Sequence, residues 1–199
     1  REGCCARIAF AASNSQLSNI VNHNSTYANC ASITDNAPSQ FPCGETTVTF
    51  TVTDNELSAT KVKSNVKVNV VNEHDECETA LRIYACDAVV ADNYCASKSL
   101  NLPPISGYSG DIEDVWFKFY PSKNFSVETY QINNGITNTV MQLFKGTCNN
   151  LIQLASDDTS GDGEHSKITI SNYAGTNPLY LRITEYNANY YGNFGIYLK

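Results

Sequence analysis

The sequence lacks the features of nucleic-acid-binding and membrane-spanning proteins. Asp, Glu, Lys and Arg make up only 17% of its 199 residues, and the formal net charge is −7. Because there is no run of Lys or Arg, neither a nucleic acid nor an anionic membrane is expected as a partner. No apolar run approaches the roughly 20 residues of a membrane-spanning helix, so membrane insertion is not expected.

Metal-binding cysteine motifs are missing as well. No two of the eight cysteines form a CxxC pair, and the three histidines add few further ligands, so a zinc site is not expected. An even number of cysteines in a chain rich in Thr and Asn favours disulfide bonds formed in an oxidising compartment. We therefore expect disulfides among all eight: Cys4, Cys5, Cys30, Cys43, Cys77, Cys86, Cys95 and Cys148.

The pairing of these cysteines is left open by the sequence. Cys4 and Cys5 are adjacent, so we expect them to have different partners. Four cysteines precede residue 72 and four follow it, which suits two separately cross-linked domains. Each set of four allows three connectivities. For the second set we favour the pairs Cys77–Cys86 and Cys95–Cys148.

The strongest pattern that is present is the alternation of apolar and polar residues, which indicates β-strands. In the first part of the chain it predicts a hairpin of strands 46–53 and 61–70. Later strands are predicted at 114–120, 125–132, 139–145, 151–155, 166–170, 178–186 and 193–199. Many short strands separated by turn residues indicate an all-β protein of the sandwich or jelly-roll type. A helix is expected only within 77–85, and only as a short one.

Two domains are expected, 1–72 and 73–199, joined at the polar, acidic stretch NEHDECE. In the first domain, Phe41-Pro42, Gly44, the Thr/Val strand, Asp54 and the closing valine strand resemble the hyalin-repeat family. This resemblance implies an immunoglobulin-like sandwich of an extracellular adhesive protein. The domain begins late for that family, so its first strand is expected to be missing. Either the chain is a fragment, or another subunit donates a strand.

The second domain resembles the bacterial pre-peptidase C-terminal family. The stretches that carry the resemblance are DECETA, DIEDVWFKFYP, TVMQLFKGTCNNLIQLASDDTSGDGEHSKI and PLYLRITEYNANYYGNFGIYL. The family implies a jelly-roll sandwich without catalytic residues, in secreted bacterial proteins, that often binds calcium. Its relatives in clostridial collagenases bind collagen.

Calcium requires several converging oxygen ligands. By resemblance to the family's aspartate pair and its acidic linker, a calcium site is expected at five residues: Glu73, Asp75, Glu76, Asp111 and Asp114. The alternative is that these acids only keep a linker and a turn soluble. A second, weaker candidate is the run Asp158, Ser160 and Asp162, which copies the start of a calcium loop. That run is equally consistent with a polar hairpin, because Gly161 and Gly163 suit a bend.

No catalytic constellation is evident, since the histidines lie in polar stretches and no nucleophile elbow is present. Alternation in DVWFKFY places Val115, Phe117 and Phe119 on one face, with Trp116 on a second face that we expect to be packed. Three tyrosines are expected to contact a ligand, by stacking on sugars or gripping a peptide: Tyr186, Tyr190 and Tyr191.

The function expected from the sequence is therefore non-catalytic. The chain is interpreted as a calcium-supported pair of adhesion or binding modules of a secreted or cell-surface bacterial protein. Its expected partners are a glycan, an extracellular protein or copies of itself. The alternative is a structural subunit of an extracellular fibre, assembled by β-strand donation.

Overall fold

The computed structural model describes residues 31–54, 61–100, 102–104, 113–186 and 191–199. The chain divides into two compact units, Arg1–Val70 and Val71–Lys199. Apart from one 3₁₀ turn, all the helices and strands of the described residues are β-strands. The all-β class expected from the alternation is therefore confirmed.

The first unit contains a three-stranded antiparallel sheet in the described residues. Its strands are β1 (Ala31–Asp35), β2 (Gly44–Asp54) and β3 (Lys61–Val70), in the order β1-β2-β3. The pairing of β2 with β3 confirms the predicted hairpin. Val48 is buried, whereas the alternating threonines of β2 are more exposed. The immunoglobulin-like assignment of this unit and its missing first strand stay predictions.

The second unit has two sheets that share one core. The five-stranded sheet has the order β4-β6-β11-β8-β9, and the four-stranded sheet has the order β10-β7-β12-β5. The strands are β4 (Leu81–Arg82), β5 (Ala88–Asp92), β6 (Asp114–Phe119), β7 (Phe125–Gln131), β8 (Thr139–Thr147), β9 (Asn150–Asp157), β10 (Lys167–Ile170), β11 (Leu179–Glu185) and β12 (Asn193–Leu198). The helix expected within 77–85 is only the 3₁₀ turn Cys77–Thr79, because β4 begins at Leu81 and pairs in parallel with β6.

Side chains from both sheets form a single hydrophobic cluster. The five-stranded sheet contributes alternate residues of its strands, and the four-stranded sheet contributes residues of β7, β10 and β12. Burying each large apolar side chain contributes about 1.5–3 kcal/mol to stability. The fully or nearly fully buried members include Val115, Phe117, Phe119, Val127, Leu143, Ile168, Leu181, Ile183, Phe194 and Ile196. The predicted inward face of β6 is therefore confirmed.

The opposite face of β6 is packed too, as the sequence predicted for Trp116. Its indole ring lies 5.7 Å from the Phe144 ring, and both side chains pack against Cys77 and Ala80. The segment before β4 covers this face, and the backbone N–H of Trp116 donates to the carbonyl oxygen of His74 at 2.7 Å. The five-stranded sheet is thus buried on both sides at this position.

A disulfide fixes this cover to the sheet, and it corrects the expected pairing. Cys77 is bonded to Cys148, with a Cα–Cα distance of 5.6 Å, so the pairs Cys77–Cys86 and Cys95–Cys148 were wrong. Cys86 is an exposed free thiol in the turn after β4, so the expectation of a disulfide at Cys86 was wrong. Its backbone N–H donates to the carbonyl oxygen of Leu198. Cys43 and Cys95 are each disulfide-bonded. Cys4, Cys5 and Cys30 lie outside the described residues.

The corrected pairing predicts which thiol a reagent reaches in the native protein. Iodoacetamide applied before denaturation should label Cys86 and leave Cys77 and Cys148 unlabelled, as peptide mass mapping can determine. Changing both bonded cysteines to Ser should cost about 4 kcal/mol in the free energy of unfolding, given their sequence separation of 71. Cys86→Ser is the matched control and should leave stability nearly unchanged. A non-reducing map that joins the peptides of Cys77 and Cys86 would contradict this pairing.

Candidate functional site

One end of the second unit gathers most of its polar loops. The strands β6, β8, β10 and β12 begin there, and β5, β7, β9 and β11 end there, because neighbouring strands run antiparallel. The two sheets also meet at this end, where the hydroxyl of Thr129 in β7 hydrogen-bonds that of Thr139 in β8. We call this end the loop end.

Two exposed tyrosines form a pair at the loop end. The rings of Tyr94 and Tyr191 lie 6.1 Å apart in an edge-to-face arrangement. Their exposed fractions are 41% and 49%. The Tyr191 hydroxyl donates to Glu113 Oε1 at 3.2 Å. These three residues, which we call the tyrosine pair with its carboxylate, present two ring surfaces and an anionic acceptor to solvent.

The backbone on both sides of the tyrosine pair is held by asparagines. The Asn72 amide nitrogen donates to the carbonyl oxygens of Tyr94 and Asp92, each at 3.1 Å. The N–H of Gly192, next to Tyr191, donates to Asn93 Oδ1 at 2.9 Å, and Asn93 is buried. The backbone that carries the two tyrosines is therefore ordered without a ligand, which lowers the entropy cost of binding.

The carboxylate of Glu113 also controls the protonation of Tyr191. Its negative charge is the largest cause that raises the pKa of the Tyr191 hydroxyl, followed by partial burial. The phenol therefore stays protonated at neutral pH and keeps its hydrogen bond to the carboxylate.

The predicted ligand-contacting tyrosines are only partly brought together. Tyr191 is exposed in the pair described above. Tyr186 is half-buried, and its N–H donates to the carbonyl oxygen of Asn138 at 3.2 Å. Tyr190 lies outside the described residues. Tyr94 was missed by the sequence reasoning, because nothing near it in the sequence indicates that it meets Tyr191.

A buried ion pair lies beside this end, on the covered face of the five-stranded sheet. The Arg182 guanidinium donates to the Asp114 carboxylate, and both side chains are buried. Arg182 Nη1 also donates to Gln142 Oε1 at 2.9 Å, and the Ser99 hydroxyl donates to Asp114 Oδ1 at 2.8 Å. The indole N–H of Trp116 completes the network by donating to Ser99 Oγ at 2.8 Å.

This network tests the calcium site that was expected at the acidic segment. Asp114 does not fit a calcium ligand, because the guanidinium already neutralises its carboxylate and would repel a cation at the same place. The Asp75 carboxylate is bound by the N–H and hydroxyl of Ser97. Among the described residues no group of three or more His, Cys, Asp or Glu side chains is placed to hold a metal ion. Asp111 lies outside the described residues.

The remaining acids of that segment are near one another without converging. Burial raises the pKa of Glu76 most, and the charges of Asp75, Asp114 and Glu78 raise it further. These acids therefore repel one another. Glu73 and Glu76 are nevertheless exposed to solvent, and Asp75 accepts a hydrogen bond from the Ser97 hydroxyl. Calcium at this segment stays a prediction.

The second calcium candidate is a closed loop between β9 and β10. Asp157 Oδ2 accepts the N–H groups of Ser160 at 3.0 Å and Lys167 at 2.8 Å. Ser160 and Asp162 are exposed, whereas Asp158 is half-buried. The three side chains predicted to bind calcium, Asp158, Ser160 and Asp162, therefore differ in their surroundings. Only Asp158 has a buried carboxylate oxygen.

A Ser, a His and a Glu also come together at the loop end, but below the surface. Ser166, His165 and Glu185 are all buried. The Ser166 hydroxyl contacts the carbonyl oxygens of Thr139 and Asp157, and His165 Nδ1 lies 3.4 Å from the Thr139 hydroxyl. Burial lowers the pKa of His165. Ser166 bonds to Thr129 of one sheet and Thr139 of the other, and all three side chains are too buried to meet a substrate.

A different aromatic surface lies at the other end of β6. The Arg82 guanidinium carbon lies 4.7 Å from the Tyr84 ring centroid and 4.9 Å from that of Tyr120. Both rings are exposed. The sequence gives no signal for this contact, because Tyr120 reaches Arg82 only through the parallel pairing of β4 with β6.

Comparisons with known proteins give similarities of structure alone. No protein-family model matches the sequence, and a search of curated proteins finds no match. The pre-peptidase C-terminal domain of a Bacillus anthracis collagenase is similar at 17% identity and a TM-score of 0.40, covering 60% of this chain and 94% of that chain.

None of the described helices is long and apolar enough to cross a membrane.

Two further similar structures are described as carbohydrate-binding modules. One is CBM51-2 in complex with GlcNAc, with INT domains, from Clostridium perfringens ZmpB, at 9% identity and a TM-score of 0.29, covering 83% of this chain and 38% of that one. The other is from a study of the promiscuous specificity of modules of the β-sandwich superfamily, at 11% identity and a TM-score of 0.28, covering 78% and 72%. Such scores do not define what this chain binds.

The ion pair predicts a large and pH-dependent loss of stability in one variant. Arg182→Met leaves Asp114 buried without its cation, which should cost about 3–5 kcal/mol in the free energy of unfolding at neutral pH. Burial already raises the pKa of Asp114 from its ordinary value of 3.8, and loss of the guanidinium raises it further. A raised carboxyl pKa favours the folded state below the unfolded pKa and loses that advantage as pH rises through the folded value.

Urea unfolding at several pH values measures this effect. The deficit of Arg182→Met relative to the unchanged chain should be largest near neutral pH and shrink towards pH 4. Arg82→Met is the matched control, since Arg82 is exposed and its loss should cost less than about 1 kcal/mol. Equal losses in the two variants, or a deficit that does not vary with pH, would show that the pair is not the cause.

Proposed function

We propose that the second unit is a non-catalytic glycan-binding module of an extracellular or cell-surface protein, and that the tyrosine pair with its carboxylate at the loop end is its binding site. The single observation that carries this proposal is the Tyr94–Tyr191 pair with Glu113. Sugar rings present C–H groups to aromatic faces and hydroxyl donors to carboxylates, so this combination matches their chemistry.

The placement of the pair supports a binding role over a packing role. Both rings keep large exposed fractions although their backbone is anchored by Asn72 and buried Asn93. A rigid, solvent-facing aromatic surface gives contact area at low conformational cost. A purely structural pair of this size would be expected to bury its faces.

The absence of an open catalytic group in the described residues favours binding over hydrolysis. The nearest combination of nucleophile and base, Ser166 with His165, is buried, and the Ser166 hydroxyl is bonded to carbonyl oxygens. An accessible general base must reach its substrate within hydrogen-bond distance. Neither group meets that requirement.

An extracellular location is supported by the cross-links. Cys77 and Cys148 are bonded to each other, and Cys43 and Cys95 are also in disulfides. Disulfides of this kind persist in oxidising compartments. The assembly of a fibre by strand donation stays a prediction of the sequence.

A glycan array probed with the full 199-residue chain tests the proposed site. Tyr191→Ala should weaken binding to any glycan that the unchanged chain retains by about tenfold or more, since truncation of a central aromatic contact commonly costs 2 kcal/mol or more. Glu113→Gln should weaken it less, because the amide oxygen still accepts a hydrogen bond.

The control is Tyr120→Ala, which removes an exposed tyrosine at the opposite end of β6. The glycan affinity of this variant should equal that of the unchanged chain. Circular dichroism of each variant checks that it is folded. Full binding by Tyr191→Ala, or loss of binding in Tyr120→Ala alone, would move the site away from the tyrosine pair. A chain that binds no glycan on the array would overturn the proposed function.

A further inference from the structure

The loop between β9 and β10 is closed by its own hydrogen bonds. The N–H of Gly161 donates to the carbonyl oxygen of His165 at 2.7 Å, and the N–H of His165 donates to that of Asp162 at 3.2 Å. A Cβ at Gly161 would lie 2.5 Å from the His165 carbonyl oxygen, and Gly163 has a φ of +65°, so both glycines are needed for the bend. The backbone of the loop is therefore constrained.

A buried amide side chain from the residue before β8 contacts this loop. The backbone of Asn138, just before β8, forms a β-bridge with Glu164, and Asn138 Nδ2 donates a hydrogen bond to Glu164 Oε2 at 3.5 Å. The side chain is 8% exposed, and its Oδ1 accepts no hydrogen bond from any described residue. A buried acceptor without a donor destabilises the folded protein, which is a reason to expect a ligand there.

Asp158 supplies a second oxygen of the same kind. Its Oδ1 is buried and likewise accepts no hydrogen bond within the described ranges. One hydroxyl, that of Ser166, contacts the carbonyl oxygens of both Asp158, at 3.4 Å, and Thr139, the neighbour of Asn138. The backbones that carry Asp158 and Asn138 are therefore joined through a single side chain.

The electrostatics of the loop favour a cation. Burial raises the pKa of the Asp158 carboxyl, and the negative charges of Asp157 and Glu164 raise it further. Uncompensated carboxylates at close range repel each other, and a bound cation removes that repulsion.

From this geometry we infer that Asp158, Glu164 and Asn138 form a calcium-binding site at the loop end of the second unit. The donors are two carboxylates and an amide oxygen, which are hard ligands that suit Ca²⁺. This set differs from the predicted run, because it replaces exposed Ser160 and Asp162 with Glu164 and an amide from outside the loop. It is also separate from the acids of residues 73–76.

The site contains few charges, which sets the expected affinity. No group of three or more His, Cys, Asp or Glu side chains among the described residues is placed to hold a metal ion. The proposed site has only two carboxylates and one amide, so its negative charge is small. Solvent completes the coordination of such sites, and extracellular modules commonly bind Ca²⁺ with dissociation constants of about 10⁻⁴–10⁻³ M. Occupancy therefore follows extracellular calcium concentrations.

Isothermal titration of the full chain with CaCl₂, together with thermal unfolding, tests this site without reference to any glycan. The unchanged chain should bind with a dissociation constant of about 10⁻⁴–10⁻³ M and unfold at a higher temperature in about 10 mM CaCl₂. Asp158→Asn and Glu164→Gln, which keep the side-chain shape, should each weaken binding by at least about tenfold.

Two control variants separate this site from others. Asp162→Asn changes an exposed acid of the same loop and should bind as the unchanged chain does. Glu76→Gln changes an exposed acid of the segment 73–76 and should likewise bind calcium as the unchanged chain does. Loss of binding in Glu76→Gln with full binding in Asp158→Asn would overturn the inference in favour of that segment. It would also be overturned if CaCl₂ neither binds the unchanged chain nor shifts its unfolding.

Discussion

The covered face of the five-stranded sheet depends on one buried ion pair, Asp114 with Arg182. Removing two charges from water is costly, and the pair is tolerable only because Gln142, Ser99 and the guanidinium satisfy the remaining donors and acceptors. Those partners come from β6, β8, β11 and the segment before β6, so the pair requires all of them to be in register. A slip of one residue in β11 would turn Arg182 into the apolar core. The ion pair therefore acts as a register constraint for the strands that carry the loop end.

The loop end combines this constraint with a polar seam between the sheets. Thr129, Thr139 and Ser166 occupy positions that are apolar elsewhere in the core, and their hydroxyls bond to one another and to carbonyl oxygens. Such a seam replaces apolar contact with directional bonds at the place where the strands give way to loops. The tyrosine pair lies at the same end, on backbone held by Asn72 and Asn93. The exposed aromatic rings are thus carried by a part of the unit that has many side-chain hydrogen bonds.

Alternation predicted most of the strands, because a half-buried strand leaves a period of two in the sequence. It failed for β4, which is two residues long, and for β5, whose sequence AVVAD does not alternate. The same pattern placed Trp116 on the second face of its strand but did not reveal the segment that covers it, since that cover is attached through a disulfide to a residue distant in sequence. Tyr191 was predicted, whereas Tyr94 was not, because only tertiary pairing of β5 with β12 brings the two rings together. Local rules therefore identify elements, and contacts between elements define the site.

The Cys77–Cys148 bond has a mechanical consequence for a protein held at both ends. Tension applied between residues 71 and 199 is carried across this covalent link, so β4, β5, β6, β7 and β8, which all lie between the two cysteines, are outside the stretched path. With a sequence separation of 71, the bond withholds roughly 240 Å of chain from extension, at about 3.3–3.6 Å per residue. Only the part that follows Cys148 can be drawn out under load. The second unit would therefore extend little under tension until the strands that follow β8 unfold.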